Sequence, residues 1–175
     1  MLSLYPQDPT QGSPFDTGTE NQLTPEFKRI AALLGDFVFQ APRRLLLDSV
    51  SGKQNTWSYC TLHRHAPARP PCSPHLHVES YTVNKRLKSL PILGSAHASD
   101  IQIVYGGQDL TDYLINFVTN LNPNGGSVPQ WPQYTTWSPQ LLTLYDSPVA
   151  SNVTLDTYRA EGMKLLTKIS LEHPV

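Results

Sequence analysis

The sequence predicts an α/β fold, because segments with a helical repeat alternate with short segments that have the period of a strand. Residues 27–34 carry apolar side chains at helical spacing, and residues 55–59 alternate between polar side chains and aromatic or β-branched ones. Further along the chain, residues 110–121 repeat the helical pattern and residues 141–145 repeat the strand pattern. At 175 residues the chain has the size of one domain and is long enough to bury a core.

The first helix is predicted from its start and from its apolar face. Residues 24–26, Thr-Pro-Glu, supply a capping hydroxyl, a proline suited to the first turn and a carboxylate near the positive end of the helix dipole. Gly35 is predicted to end this helix, Asp36 to cap a second one, and Pro42 to kink or restart that second helix. The stripe expected to face the core consists of Phe27, Ile30, Ala31 and Leu34.

The later elements are predicted from caps and breaks. Asp109 can cap the helix that follows it, and Asn-Pro-Asn at residues 122–124 should end that helix sharply. Asp156 is expected to cap a last amphipathic helix. In the second helix, Arg43 and Arg44 are expected to face water or to pair with carboxylates rather than to bind a ligand.

Composition and charge exclude several classes of function. The net charge is −1 and the basic residues form no stripe, so a nucleic-acid partner is not expected. No apolar run approaches the roughly 20 residues that a membrane-spanning helix needs. The start of the chain, Met-Leu-Ser-Leu-Tyr-Pro, lacks a basic residue and a long apolar core, so it is not predicted to be a signal peptide.

The segment of residues 89–101, Ser-Leu-Pro-Ile-Leu-Gly-Ser-Ala-His-Ala-Ser-Asp-Ile, presents a histidine among small side chains. The apolar run ends at Gly94, and His97 follows three residues later. An accessible imidazole on a rigid loop can take and return a proton near neutral pH, which suits a general base. Spacing alone favours the alternative, a histidine hydrogen-bonded in a core or on the surface.

This segment resembles the catalytic-histidine loop of type-B carboxylesterases and lipases, in which Gly-x-x-His-x-x-Asp/Glu-Leu/Ile recurs, and it is most similar to the secreted fungal lipases. The resemblance covers nearly the whole chain except one insertion, but only the C-terminal third of the family's sequence. It implies that residues 1–175 are a C-terminal fragment of an α/β-hydrolase, with an incomplete, mostly parallel sheet and flanking helices. The supporting stretches, in the family's order, are residues 11–18, residues 29–36 with 41–44, and residues 122–124 with 131–134.

The resemblance implies a serine ester hydrolase in which His97 is the general base. No Gly-x-Ser-x-Gly occurs in the chain, so the nucleophile, the oxyanion-hole glycines and the triad acid are expected upstream of Met1. Ser99 and Asp100 are assigned to support the loop near the histidine, and Asp100 is not taken as the triad acid, because it lies only three residues from His97. The full enzyme would act on an ester or lipid without a cofactor or metal, and the isolated chain is expected to be inactive.

The family resembled is largely secreted, which implies an extracellular protein. Asn152-Val-Thr154 is a sequon for N-glycosylation, so Asn152 is a predicted acceptor if the chain enters the secretory pathway. An alternative of a different class is a non-catalytic remnant or interaction module built on the same fold fragment.

Residues 60–83 differ in composition from the rest of the chain and are predicted to be an insertion. They hold both cysteines and four of the six histidines, and joining residue 59 to residue 84 restores the family's spacing. One explanation is a retained intron translated in frame. The rival hypothesis is a metal-binding protein that uses the His-x-His pairs at 63–65 and 75–77 with Cys60 and Cys72, although the spacing matches no known zinc finger. A disulfide between the two cysteines is a further alternative in an exported chain.

Overall fold

The computed structural model describes residues 2–8, 22–62, 100–107, 110–126, 128–145 and 151–174, and within them helices and strands alternate as the sequence predicts. Three strands and five α-helices are present in these ranges, together with a short 3₁₀ turn and a π-helical turn. In chain order the elements are the 3₁₀ turn Leu2–Leu4, α1 Phe27–Gly35, the π-helical turn Asp36–Gln40, α2 Ala41–Val50, β1 Tyr59–Leu62, α3 Ile101–Tyr105, α4 Thr111–Asn120, β2 Gln140–Tyr145, β3 Asn152–Leu155 and α5 Ala160–Glu172.

The three strands form one mixed sheet in the order β1-β2-β3. Strands β1 and β2 are parallel, with Tyr59 opposite Leu142, and β2 and β3 are antiparallel, with Gln140 opposite Leu155. Because successive side chains of a strand point to opposite faces, the sheet contributes to two separate cores. The α/β class is therefore confirmed.

Each face of the sheet is covered by its own set of helices. One face is covered by α1, α2 and α5, and its buried residues make up what we call the ionic-side core: Tyr5, Ala32, Ala41, Leu47, Cys60, Tyr134, Leu141, Tyr158, Met163 and Leu166. The other face is covered by α3 and α4, and its buried residues make up what we call the aromatic-side core: Ile103, Leu110, Tyr113, Trp131, Leu142 and Leu144.

The first two helices are joined differently from the prediction. Helix α1 ends at Gly35 as predicted, but the backbone runs on without a break into the π-helical turn, in which the Ala41 N–H is bonded to the carbonyl of Asp36, five residues earlier. Pro42 has no N–H to donate, and it lies in the first turn of α2, where an intrahelical donor is not required. The wide turn therefore takes the place of the predicted break, and Asp36 is a buried residue of this turn rather than an exposed cap.

The predicted buried face of α1 is wrong. Ile30 and Leu34 are 51% and 54% exposed, whereas Lys28 and Ala32 are buried. Lys28, Ala32 and Asp36 follow one another at four-residue intervals and thus lie on one side of the helical segment. The buried carboxylate of Asp36 and the small side chain of Ala32 fix which side faces inward.

The start of β1 also differs from the sequence prediction. Hydrogen-bonded strand begins at Tyr59 rather than at residue 55, and Thr56 and Ser58 instead use their carbonyls to accept from the Tyr134 and Leu142 N–H groups. Helix α4 ends as predicted, with Leu121 in a left-handed conformation just before the Asn-Pro-Asn sequence. No helix in the described ranges is long and apolar enough to cross a membrane.

Candidate functional site

The candidate site is described from Asp100 onward, because His97 and Ser99 lie outside the described residues. Asp100 directly precedes α3, and its carbonyl accepts from the N–H groups of Ile103 at 2.9 Å and Val104 at 3.0 Å. Its carboxylate accepts from the Tyr59 hydroxyl at 2.6 Å. The residue that closes the predicted histidine motif is therefore bonded through its backbone to α3 and through its side chain to β1.

Tyr59 is held in place by aromatic neighbours. Its ring meets Trp131 edge to face, with the ring centroids 6.1 Å apart. The Trp131 indole in turn donates to the Ser58 carbonyl at 3.0 Å and lies edge to face with Tyr113. Burial, followed by the hydrogen bond and charge of Asp100, raises the pKa of Tyr59 well above its ordinary value, so the hydroxyl remains a donor at neutral pH.

An apolar cavity of about 430 Å³ adjoins this aromatic cluster. It lies between α2, the residues that precede β1, and α4, and Tyr59 and Trp131 both line it. The buried indole nitrogen of Trp57, another lining residue, has no hydrogen-bond partner within the described part of the chain. The cavity wall is chemically suited to apolar groups and offers few polar contacts.

A buried ionic cluster lies on the opposite side of the sheet. The Asp156 carboxylate accepts two hydrogen bonds from Arg43, at 2.8 and 3.0 Å, and two from Arg44, at 2.6 and 3.0 Å. Burial alone would raise the pKa of Asp156, but the charges and hydrogen bonds of the two guanidinium groups hold that pKa below its usual value. The expected pairing of the arginines with a carboxylate is confirmed. Asp156 is not a helix cap, since α5 begins only at Ala160.

A second buried carboxylate, that of Asp36, bonds to one residue near the start of the chain and to another just before α5. Asp36 accepts from the Tyr5 hydroxyl at 2.9 Å and from the guanidinium of Arg159 in a two-point ion pair. Arg159 has a left-handed backbone conformation, with φ at 41°, at the residue before α5. The Tyr158 ring lies beneath the guanidinium of Arg44, 4.5 Å from ring centroid to Cζ. Each buried carboxylate here is paired with at least one guanidinium group, so the arrangement suits stabilisation rather than chemistry.

The residues of the predicted insertion are described only at its start. Cys60 to Leu62 belong to β1, and the Cys60 sulfur lies 3.1 Å from the Thr143 hydroxyl. The four histidines and Cys72 lie outside the described residues, so the insertion and the disulfide remain predictions. Within the described ranges no group of three or more His, Cys, Asp or Glu side chains comes together, and the metal-binding alternative has no support.

The predicted glycosylation site lies at the surface. Asn152 is exposed and is the first residue of β3. The hydroxyl of Thr154, the third residue of the sequon, is buried and hydrogen-bonded to Thr143 at 2.5 Å. The acceptor amide therefore faces solvent, while the sequon threonine is part of the sheet.

Sequence reasoning missed three features of the structure. It assigned Asp100 a supporting role but did not identify Tyr59 as its partner, and it identified neither Asp156 as the arginines' partner nor the cavity beside Trp57. The alternation that places Tyr59 and Trp57 on the same side of the chain was the available signal. Nothing in the local sequence indicates a contact between residues 41 positions apart.

Comparison with known proteins gives a consistent result. The family model described as "Carboxylesterase family" matches residues 15–161. Lipase 2 of Geotrichum candidum is 34% identical over 170 residues, which are 93% of this chain and 26% of that protein. Lipase 5 of Diutina rugosa is 38% identical over 144 residues, or 79% of this chain and 22% of that protein. Secreted lipase 1 of Botryotinia fuckeliana is 36% identical over 160 residues, or 84% of this chain and 24% of that protein. The chain thus spans about a quarter of the length of these relatives.

Proposed function

Because the chain belongs to the carboxylesterase family, we propose that it is the C-terminal part of a serine carboxylester hydrolase and supplies the catalytic base, His97. The observation that carries this proposal is the motif from Gly94 to Ile101, which lies inside the matched region and contains the anchored residue Asp100. Asp100 is bonded to β1 through its carboxylate and to α3 through its backbone carbonyl, which gives the histidine segment a fixed end. That is the rigidity that general base catalysis requires of the loop.

In the proposed mechanism, His97 acts on groups that the rest of the enzyme provides. Its imidazole takes the proton of the serine hydroxyl as that oxygen attacks the ester carbonyl, and it later gives the proton to the leaving alcohol. Water then attacks the acyl-enzyme with the same imidazole as base. We place the serine, the triad acid and the oxyanion hole upstream of this chain, since the relatives are about four times longer than the aligned region.

We propose ester or lipid substrates and an extracellular location. The support is that several relatives are named as lipases and that two of them are named as secreted. The isolated chain is proposed to be inactive, because a base without a nucleophile has nothing to activate.

The proposed role of His97 is tested by joining this chain to the upstream three-quarters of Lipase 2 of Geotrichum candidum, in place of that enzyme's matching segment. We expect the hybrid to hydrolyse nitrophenyl butyrate and the His97→Ala hybrid to be at least about a thousandfold slower, as for the loss of a triad member. His173→Ala is the matched control, because His173 is exposed beyond α5, and it should leave the rate unchanged. A His97→Ala hybrid that retains full activity would refute the proposal.

The isolated chain provides the complementary measurement. Its rate with the same ester should equal that of its own His97→Ala variant and stay at the level of buffer. A rate well above buffer that depends on His97 would show that a nucleophile is present within these 175 residues.

The predicted glycan acceptor, Asn152, is tested by sending the chain through the secretory pathway. Expressed in yeast behind a secretion signal, the chain should carry a glycan at Asn152, seen as a mass that peptide N-glycosidase removes. Asn152→Gln should abolish the added mass, whereas Asn55→Gln, which changes an exposed asparagine outside any sequon, should not. An unmodified secreted wild-type chain would contradict the assignment of Asn152.

A further inference from the structure

We propose that the apolar cavity between α2, the residues that precede β1, and α4 is a binding site for an uncharged aromatic molecule of about two or three rings. This inference goes beyond the proposed function, because it involves neither an ester nor any residue of the histidine motif. The cavity adjoins the aromatic cluster in which Tyr59, Tyr113 and Trp131 pack together. Its size, its lack of charge and its rings each restrict what can occupy it.

The volume of the cavity sets the size of the ligand. An apolar cavity of about 150 Å³ takes up benzene, and ligand pockets in proteins begin at about 300 Å³. At about 430 Å³, this cavity has nearly three times the volume of one that takes up a single benzene ring. A smaller occupant would leave much of the wall without contacts, and the dispersion energy of those contacts would be lost. A molecule of about two or three rings fills the space.

The wall disfavours charged ligands. None of the described residues that line the cavity is charged. The hydroxyls of Tyr59 and Tyr113 and the indole nitrogen of Trp131 already donate to groups of the protein, at 2.6, 2.8 and 3.0 Å. The amide and aliphatic hydroxyl side chains of the wall belong to residues 54–56, of which the first two are exposed to solvent. A carboxylate, phosphate or ammonium group would lose its hydration in this cavity without gaining a counter-charge.

The rings of the wall favour an aromatic occupant over an aliphatic one. Aromatic rings attract one another edge to face, with centroids about 4.5–7 Å apart, by more than the burial of their area alone provides. Three such pairs involve lining residues: Trp57 with Phe117 at 5.9 Å, Tyr59 with Trp131 at 6.1 Å, and Tyr113 with Trp131 at 5.3 Å. A planar aromatic ligand extends this arrangement, whereas a saturated one of the same size contributes only its apolar area.

The test uses two dyes that share one aromatic skeleton and fluoresce in apolar surroundings. N-phenylnaphthylamine is uncharged, and anilinonaphthalene sulfonate carries a sulfonate in addition. In fluorescence titrations, the 175-residue chain should bind the uncharged dye at one saturable site. The sulfonate should bind at least about tenfold more weakly, because its charge finds no partner on the wall. Equal affinities for the two dyes would overturn the proposal.

Competition separates an aromatic preference from a general affinity for apolar molecules. Naphthalene should displace the uncharged dye, and decalin, its saturated counterpart, should displace less of it at the same concentration. Equal displacement by the two hydrocarbons would refute the assignment to aromatic ligands.

Leu114→Trp tests whether the dye occupies this cavity. Leu114 lies on α4, is partly buried and lines the cavity, so an indole in its place fills part of the space. The affinity for the uncharged dye should fall at least about tenfold. Val118→Trp is the matched control, because Val118 lies one turn further along α4, is 72% exposed and is not a lining residue. This control should leave the affinity unchanged, and a loss in both variants or in neither would overturn the proposal.

A second measurement keeps the test decisive if Leu114→Trp does not fold. In the isotope-labelled chain, each tryptophan gives one indole N–H resonance, which its Trp→Phe variant identifies. The uncharged dye should shift the resonances of Trp57 and Trp131, which line the cavity. The resonance of Trp137 should stay in place, because that residue is 96% exposed and is not a lining residue. A shift of Trp137, or no shift of Trp57 and Trp131, would show that the dye binds elsewhere.

These measurements require no ester hydrolysis. They can therefore fail while the activity of the hybrid enzyme stands, or succeed while that activity fails.

Discussion

The two faces of the sheet are stabilised by different forces. On the ionic side, the carboxylates of Asp36 and Asp156 are fully buried and are matched by guanidinium groups from distant parts of the chain. On the aromatic side, rings pack edge to face around Trp131, an open cavity adjoins them, and a single hydroxyl–carboxylate bond leads to the histidine segment. The comparison indicates that one face secures the fold and the other supports the candidate site.

The two faces also differ in what a substitution should do. Removing one partner from a buried ion pair leaves the other charge unpaired, so the cost is large. Removing one polar atom from an aromatic cluster leaves the packing in place, so the cost is that of one hydrogen bond. The predictions below use this difference, starting with the largest expected effect.

The largest effect is expected for Asp156→Ala. This substitution leaves Arg43 and Arg44, whose side chains are only 23% and 12% exposed, without a counter-charge. We expect a loss of about 3–5 kcal/mol in the free energy of unfolding, measured by urea denaturation. The control is Lys168→Ala, which removes an exposed pair with Glu172 and should cost less than about 1 kcal/mol. Equal costs for the two variants would show that the ionic side is not the stabilising face.

The interaction of Asp156 with Arg43 and Arg44 also predicts how stability depends on pH. The folded-state pKa of Asp156 is below its usual value, so the pair's contribution is complete above the unfolded pKa of about 4. It is lost as the pH falls through the lower, folded-state value. Urea midpoints measured between pH 2 and 6 should therefore drop more steeply for the wild type than for Asp156→Asn. Parallel curves for the two proteins would mean that another carboxylate dominates acid unfolding.

The sequence predicted the elements better than it predicted their contacts. The helices, the strand predicted over residues 141–145, the end of α4 and the pairing of the arginines follow from local spacing or residue type, and these are confirmed. The strand predicted over residues 55–59 begins only at Tyr59. The prediction of which face of α1 is buried is wrong, because that face depends on an ion pair between Asp36 and Arg159, which are 123 residues apart. Asp156 lies 113 residues from Arg43, so its role has no local signal either. Such contacts arise only when the chain has folded.

The smallest effect is expected for the difference in stability between two substitutions on the aromatic side, Trp131→Phe and Trp57→Phe. The indole nitrogen of one tryptophan has a hydrogen-bond partner in the described residues, and that of the other has none. The Trp131 indole nitrogen donates to the Ser58 carbonyl, so Trp131→Phe should cost that bond, about 1 kcal/mol, in addition to the lost ring area. The Trp57 indole nitrogen is buried beside the cavity without a partner in the described residues. Trp57→Phe therefore removes an unsatisfied donor, which offsets part of the loss in packing, and should cost measurably less than Trp131→Phe. Urea denaturation of both variants measures the difference in their free energies of unfolding. Each variant keeps two of the three tryptophans as fluorescence probes. A Trp57→Phe variant that is as unstable as Trp131→Phe would mean that the Trp57 nitrogen has a partner, and that the wall of the cavity is as well satisfied as the cluster beside it.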